Sequence, residues 1–112
     1  NASLDTPWPK VELCKSRLTV LANDAPDHAA LLTVVNNAQL ASPEALHGQG
    51  LTGEMDQALS AQFIQAGHYG TRCSTTLWTE KNGAINWRET SYDKTGAVVD
   101  EVTEAFALDL QA

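Results

Sequence analysis

Only two cysteines, Cys14 and Cys73, occur in 112 residues, and they stand far apart. That excludes a disulfide framework and a cysteine-built zinc site. It predicts a reducing, cytoplasmic setting, and a single Cys14–Cys73 bridge is the one disulfide the chain permits. Basic residues are scarce as well: 7 Lys and Arg face 14 Asp and Glu, a net charge of −7. A protein that binds nucleic acid non-specifically must neutralise phosphates, and this balance argues against it. It argues equally against an anionic membrane surface. No stretch approaches the roughly 20 apolar residues of a membrane span, and no signal-peptide pattern opens the chain. The three histidines, His28, His47 and His68, are spaced far more widely than a metal-binding H-x₃₋₅-H pair, so no metal site is predicted. An initiator Met is also missing. "NASLDTPWPKVE" reads as the interior of a longer protein, and the expectation is that an upstream part was removed or that the chain is a fragment.

What remains is enough for one domain, residues 1–112, or for the C-terminal half of one. A chain of this length buries about two-thirds of its unfolded surface, so a core needs no staples. Residues 1–66 read as mainly helical. From Pro9 onward Val11, Cys14, Leu18 and Leu21 fall on one helical face, which makes Cys14 a core residue. Pro9 suits a first turn, Thr6 or Asp5 can cap it, and Asn23-Asp24 ends it. Trp8, between two prolines, reads as a packing anchor. A second helix is predicted from Pro26 to Asn36 with Asp24 as its cap. Residues 37–50 form a loop with one helical turn at Pro43–Leu46. A third helix is predicted from Gly53 to Ile64, capped by Thr52, with Met55, Leu59 and Phe63 on one side.

Residues 67–112 read as antiparallel strands. Thr71–Glu80 is rich in Thr and Trp, which suit a pleated surface. Asn82-Gly83 signals a tight hairpin, and Ala84–Tyr92 is the returning strand. "DKTG" at 93–96 is a second turn, and Val98–Leu108 is a third strand. Asp100, Glu101, Glu104 and Asp109 mark the wet side of an edge strand. The fold class is therefore α+β, helices plus an antiparallel three-strand meander. Such a sheet has one face more than the helices can cover, and it reads as incomplete on its own.

Two stretches carry a resemblance. "NASLDTPWPKVELCKSRL" and "LTGEMDQALSAQFIQAGHYGTRCSTTLWTEKNGAINWRETSYDKTG" resemble, in order, two segments of the NRDE family, which includes the transport-and-Golgi-organisation proteins. "TPWPK" and "YGTR-x-ST" are the specific parts. The chain departs in having Cys73 where Ser is common and "WRETS" where "ER-[TS]-[FY]" is usual. It also lacks the family's opening, a Cys after the initiator Met and an Asn-Arg-Asp-Glu segment, so it resembles only the C-terminal part of the unit.

The resemblance implies the C-terminal half of a four-layer αββα sandwich of the N-terminal-nucleophile hydrolase type. In competent relatives the N-terminal Cys is nucleophile and, through its amine, base. By motif position Asn1 resembles their oxyanion donor and Arg72 their pocket arginine. No such nucleophile lies in this chain, so a complete catalytic site is not expected. Ligand-binding candidates are Arg72, Asn1, His68, Tyr69 and Ser74, with hydroxyls of Thr71, Thr75 and Thr76 nearby. The residues themselves allow a plainer reading of each. A strand-start Arg is commonly solvated, a first residue frays, and a threonine run fits a β-strand. Cys73 reads as a small buried strand residue rather than a nucleophile.

Three functions follow. The first is binding or handling of a small-molecule ligand, with haem or an acyl-type ligand suggested by the family alone. No cofactor is predicted from the residues, since the chain has no C-x-x-C-H, His-Pro or Cys-Pro pair. The second is the supporting half of an N-terminal-cysteine amide hydrolase. The third is a structural module whose exposed sheet meets a partner: the upstream half of the same protein, or a second copy in a homo-oligomer.

Overall fold

The computed structural model describes residues 3–109. Four short helices precede five strands: α1 Pro9–Leu21, α2 His28–Leu32, α3 Pro43–His47, α4 Glu54–Ala58, β1 Gln65–Ala66, β2 Tyr69–Gly70, β3 Cys73–Thr79, β4 Ala84–Tyr92 and β5 Val98–Ala107. β1 and β2 form a small hairpin, and β3-β4-β5 form an antiparallel meander. The fold is mixed α+β.

The strands lie where their composition places them. Gly83 takes φ 86° in the β3–β4 turn, a conformation that costs glycine little. Pairing then runs from Thr79↔Ile85 to Cys73↔Ser91 without slippage. β5 pairs along β4 with an irregularity at Ser91/Tyr92.

α1 and α3 stand where the sequence pattern places them, while α2 and α4 are shorter than it predicts. α2 starts late because its cap is Asp27 rather than Asp24, the Asp27 carboxylate accepting from Ala30 N at 2.8 Å. It spans only five residues because the Arg17 guanidinium takes Thr33 O and Asn37 N donates to Gln62 Oε1. α4 stops at Ala58 instead of reaching Ile64. The Ser60 hydroxyl donates to Gln57 O, Phe63 N donates to Asn37 O, and Ile64 N donates to the Thr71 hydroxyl. These bonds take the groups that a longer helix would use. At its start, Asp56 rather than Thr52 supplies the side chain, accepting from Gly53 N at 2.8 Å. At α1 neither Thr6 nor Asp5 caps. Trp8 holds the cap position with no side-chain bond, while Asp5 pairs with Lys15.

Alternation along the sheet separates two faces. On one, Ser74, Thr76 and Thr90 are buried, and α2 packs over β3. His28 joins the layers there. Its Nδ1 lies 2.7 Å from the Thr76 hydroxyl and its ring centroid 4.4 Å from that of Trp78. The Tyr92 hydroxyl donates to Ser74 Oγ at 3.1 Å, and Phe63 meets the Tyr92 ring edge-on at 4.8 Å.

The second face holds Cys73, Thr75, Leu77, Ile85, Trp87, Val102 and Phe106, and it is open except at Ile85, which is buried, and Trp87, which is half-buried. Leu77 is 51% and Phe106 50% exposed. Cys73 is therefore exposed, not buried as its small size suggests, because it alternates out of phase with Ser74. All ten residues of β5 are exposed. Asp100 and Glu104 do not stand opposite the apolar residues: with Val102 and Phe106 they share the open face, while Glu101 turns to the covered one.

α1 also lacks cover. None of its residues is buried, and Cys14 is half-buried rather than core. The accessible surface is 7849 Å², against about 6,000 Å² for a compact monomer of this mass. The radius of gyration is 16.5 Å, where a compact chain of this length has about 13 Å.

Candidate functional site

Arg72 sits one residue before β3, at the end of the sheet. The local backbone is built by the β1–β2 hairpin. Thr71 closes it in both directions: its N–H donates to Ile64 O and its hydroxyl accepts from Ile64 N, each at 2.9 Å. Gly70 is required here, because a Cβ would lie 2.7 Å from Ile64 O. Arg72 O then accepts from Tyr92 N at 2.8 Å, which brings the β4–β5 turn alongside.

The result is a shallow recess lined by His68, Tyr69, Gly70, Thr71, Arg72, Asp93 and Lys94, among others. It holds about 10 Å³, room for roughly one water. Arg72 is exposed, and its guanidinium makes no hydrogen bond or ion pair among the described residues. Asp93 is occupied: it accepts from the Thr95 hydroxyl, Thr95 N and Ala97 N. Those bonds from Thr95 hold its carboxyl below the usual value, with a smaller push from the Arg72 charge. Arg72, Lys94 and His68 thus gather at one corner of an otherwise acidic chain, with one committed carboxylate between them.

The structure brings Arg72, His68 and Tyr69 together. Tyr69 is 61% exposed. Ser74 is not with them: it is buried on the covered face and bonded to Tyr92. Thr76 is likewise committed to His28, and Thr75 faces the open side. Asn1 lies outside the described residues. Asp93 and Lys94 were legible only as turn residues. Yet counting back along the strands from the Asn82-Gly83 hairpin sets Arg72 opposite Tyr92, and so beside Asp93.

Two wider grooves meet at Lys10, whose ammonium donates to Leu59 O at 2.9 Å. One, about 220 Å³, is walled by Trp8, Pro9, Leu46, Leu51 and Leu59. The other, about 360 Å³, runs along Leu13, Leu40 and Ala41. Trp8 is half-buried there. The His68 recess is far too small for a porphyrin, so the residues around it do not fit a haem. Among the described residues no cluster of three His, Cys, Asp or Glu could hold a metal ion, and neither cysteine has a hydrogen-bonded base. No helix among them is long and apolar enough to cross a membrane.

A family model, Transport and Golgi organisation 2, matches residues 1–94. The chain belongs to that family. No curated protein matches it. The matched stretch of this Transport and Golgi organisation 2 chain includes α1, the β1–β2 hairpin, β3, β4 and the Asp93-Lys94 corner, and ends before β5.

Proposed function

We propose that this chain is the ligand-holding part of a Transport and Golgi organisation 2 protein, binding an anionic small molecule at the Arg72 corner without a complete catalytic site of its own. One observation carries the reading. An exposed guanidinium without a partner among the described residues stands beside Lys94 and His68 in a chain of net charge −7. A planar, permanently charged fork suits carboxylate or phosphate. The recess is too small to enclose a ligand, so the anion lies across its rim. The ligand class suggested by the family resemblance fits this, since a free fatty acid presents a carboxylate and an acyl-CoA presents phosphates. The unpaired thiols fit a reducing compartment, and we place the protein in the cytoplasm.

The test is an NMR titration with octanoate and, as an uncharged control, octanamide. Octanoate should shift the amides of Gly70–Cys73 and Thr95, and Arg72→Gln should abolish those shifts. Equal shifts with octanamide, or shifts unchanged in Arg72→Gln, would sink the proposal.

A second reading rests on a separate observation, the open sheet face with Leu77, Val102 and Phe106 exposed beside a half-buried Trp87. Contiguous apolar area of this kind marks an interaction surface. On that reading the chain is also a docking module, and its sheet packs against a partner.

A further inference from the structure

We propose that the groove at the start of α1 is a binding site for a free α-amino acid with an apolar side chain. The site is separate from the Arg72 corner and does not depend on it. The groove holds about 220 Å³. Its walls come from distant stretches: Trp8 from just before α1, Leu46 from α3, Leu51 from the loop after it, and Leu59 from just past α4. Leu46 is buried and the other three are half-buried. Two charged side chains, Lys10 and Asp56, share these apolar walls.

Opposite charges in so small a space would ordinarily meet, and these do not. No ion pair joins them, and neither pairs with any other charge among the described residues. Each is tethered to the backbone instead. Lys10 Nζ donates to Leu59 O at 2.9 Å, and Asp56 Oδ2 accepts from Gly53 N at 2.8 Å. An ammonium has further donors and a carboxylate a second oxygen. Lys10 therefore keeps N–H groups to spare, and Asp56 keeps Oδ1. The start of α1 adds to the positive end of the groove. Lys10 lies in the first turn of this 13-residue helix, which no side chain caps, and the aligned peptide dipoles favour an anion there.

The ligand class follows from charge and room. An anion would satisfy Lys10 but strip water from Asp56, and a cation would do the reverse. An unpaired charge left in a drying groove is costly. A zwitterion whose carboxylate meets Lys10 and whose ammonium meets Asp56 avoids both costs. An α-amino acid carries the two charges on one carbon, which leaves its side chain to lie against Trp8, Leu46, Leu51 and Leu59. The groove is smaller than the roughly 300 Å³ at which pockets for drug-sized ligands begin, and it suits a molecule of leucine's size.

The experiment is an NMR titration of the chain with leucine, isocaproate and leucinamide. Isocaproate is leucine without its ammonium, and leucinamide is leucine without its carboxylate. Leucine should shift the Trp8 indole N–H and the amides of Leu51 and Leu59 to saturation. Each analogue should bind there about tenfold more weakly, since it leaves one charge unmatched. Asp56→Asn keeps an oxygen for Gly53 N but loses the charge, and it should weaken leucine by about the same factor. Lys10→Met should do likewise, and Arg72→Gln should change nothing. The analogue series needs no variant, so it decides the matter even if Lys10→Met does not fold. Groove shifts of equal strength with either analogue, leucine binding unchanged by Asp56→Asn, or no groove shifts with leucine would overturn the site. Leucine shifts confined to Gly70–Cys73 would overturn it as well and leave the Arg72 reading standing.

Discussion

At the scale of single residues, His28 and Gly70 decide most. His28 is buried between Thr76 and Trp78, and burial is the main cause that lowers its pKa. The Arg88 charge pushes the same way, while Asp27 and Glu101 oppose it. A lowered pKa in the folded state means that the unfolded chain takes up the proton first. Stability is then full above the ordinary histidine value of about 6.5 and falls as pH drops from there toward the folded-state value. Urea midpoints should be flat from pH 8 to 7 and decline below, and His28→Gln should remove that decline while leaving the lower-pH loss due to Asp93. Gly70→Ala forces Cβ against a backbone oxygen. It should cost about 1–3 kcal/mol in chemical denaturation and disturb the amides of the β1–β2 hairpin most.

At the scale of elements, the irregular segment from Asn37 to Phe63 is held by side chains rather than by helix. Ser60 is buried, and its hydroxyl accepts from Ala41 N at 2.8 Å while donating to Gln57 O at 2.6 Å. Ser60→Ala should cost about 1–3 kcal/mol, since it strands a buried N–H. Denaturation of that variant beside Ser42→Ala, an exposed cap, would check the ranking. The same segment shows why the strands, α1 and α3 were legible and the extents of α2 and α4 were not. β3, β4 and β5 announce themselves by Thr, Trp and Val composition and by turn residues, all of them local signals. Helices α2 and α4 end where distant groups compete for the backbone: past α2 the Arg17 guanidinium takes Thr33 O and Asn37 N bonds Gln62, and past α4 Phe63 bonds Asn37 and Ile64 bonds Thr71. No local pattern encodes such partners. The site was legible in part for the same reason. Arg72, His68 and Tyr69 come from one short stretch, whereas Asp93 and Lys94 arrive through strand register.

At the scale of the whole molecule, cover is uneven. β4 is flanked by strands on both edges, while α1 has no buried residue and β5 lies in solvent throughout. Hydrogen exchange should therefore rank β4 amides slowest and those of α1 and β5 among the fastest. A uniform rate across the sheet and α1 would contradict the packing. Binding of a covering partner should slow β5 first, because that strand has the most to gain.

β5 has one more consequence. It is an edge strand ten residues long that no other strand covers among the described residues, the kind of template on which chains stack into fibrils. Asp100, Glu101 and Glu104 stand along it as gatekeepers, and like charges on every copy keep edges apart in neutral solution. That protection is a matter of charge. Asp100→Asn with Glu101→Gln and Glu104→Gln removes it and leaves the edge its Val and Phe. The triple variant should turn a clear solution into thioflavin-positive fibrils, and adding Val102→Lys should keep it clear.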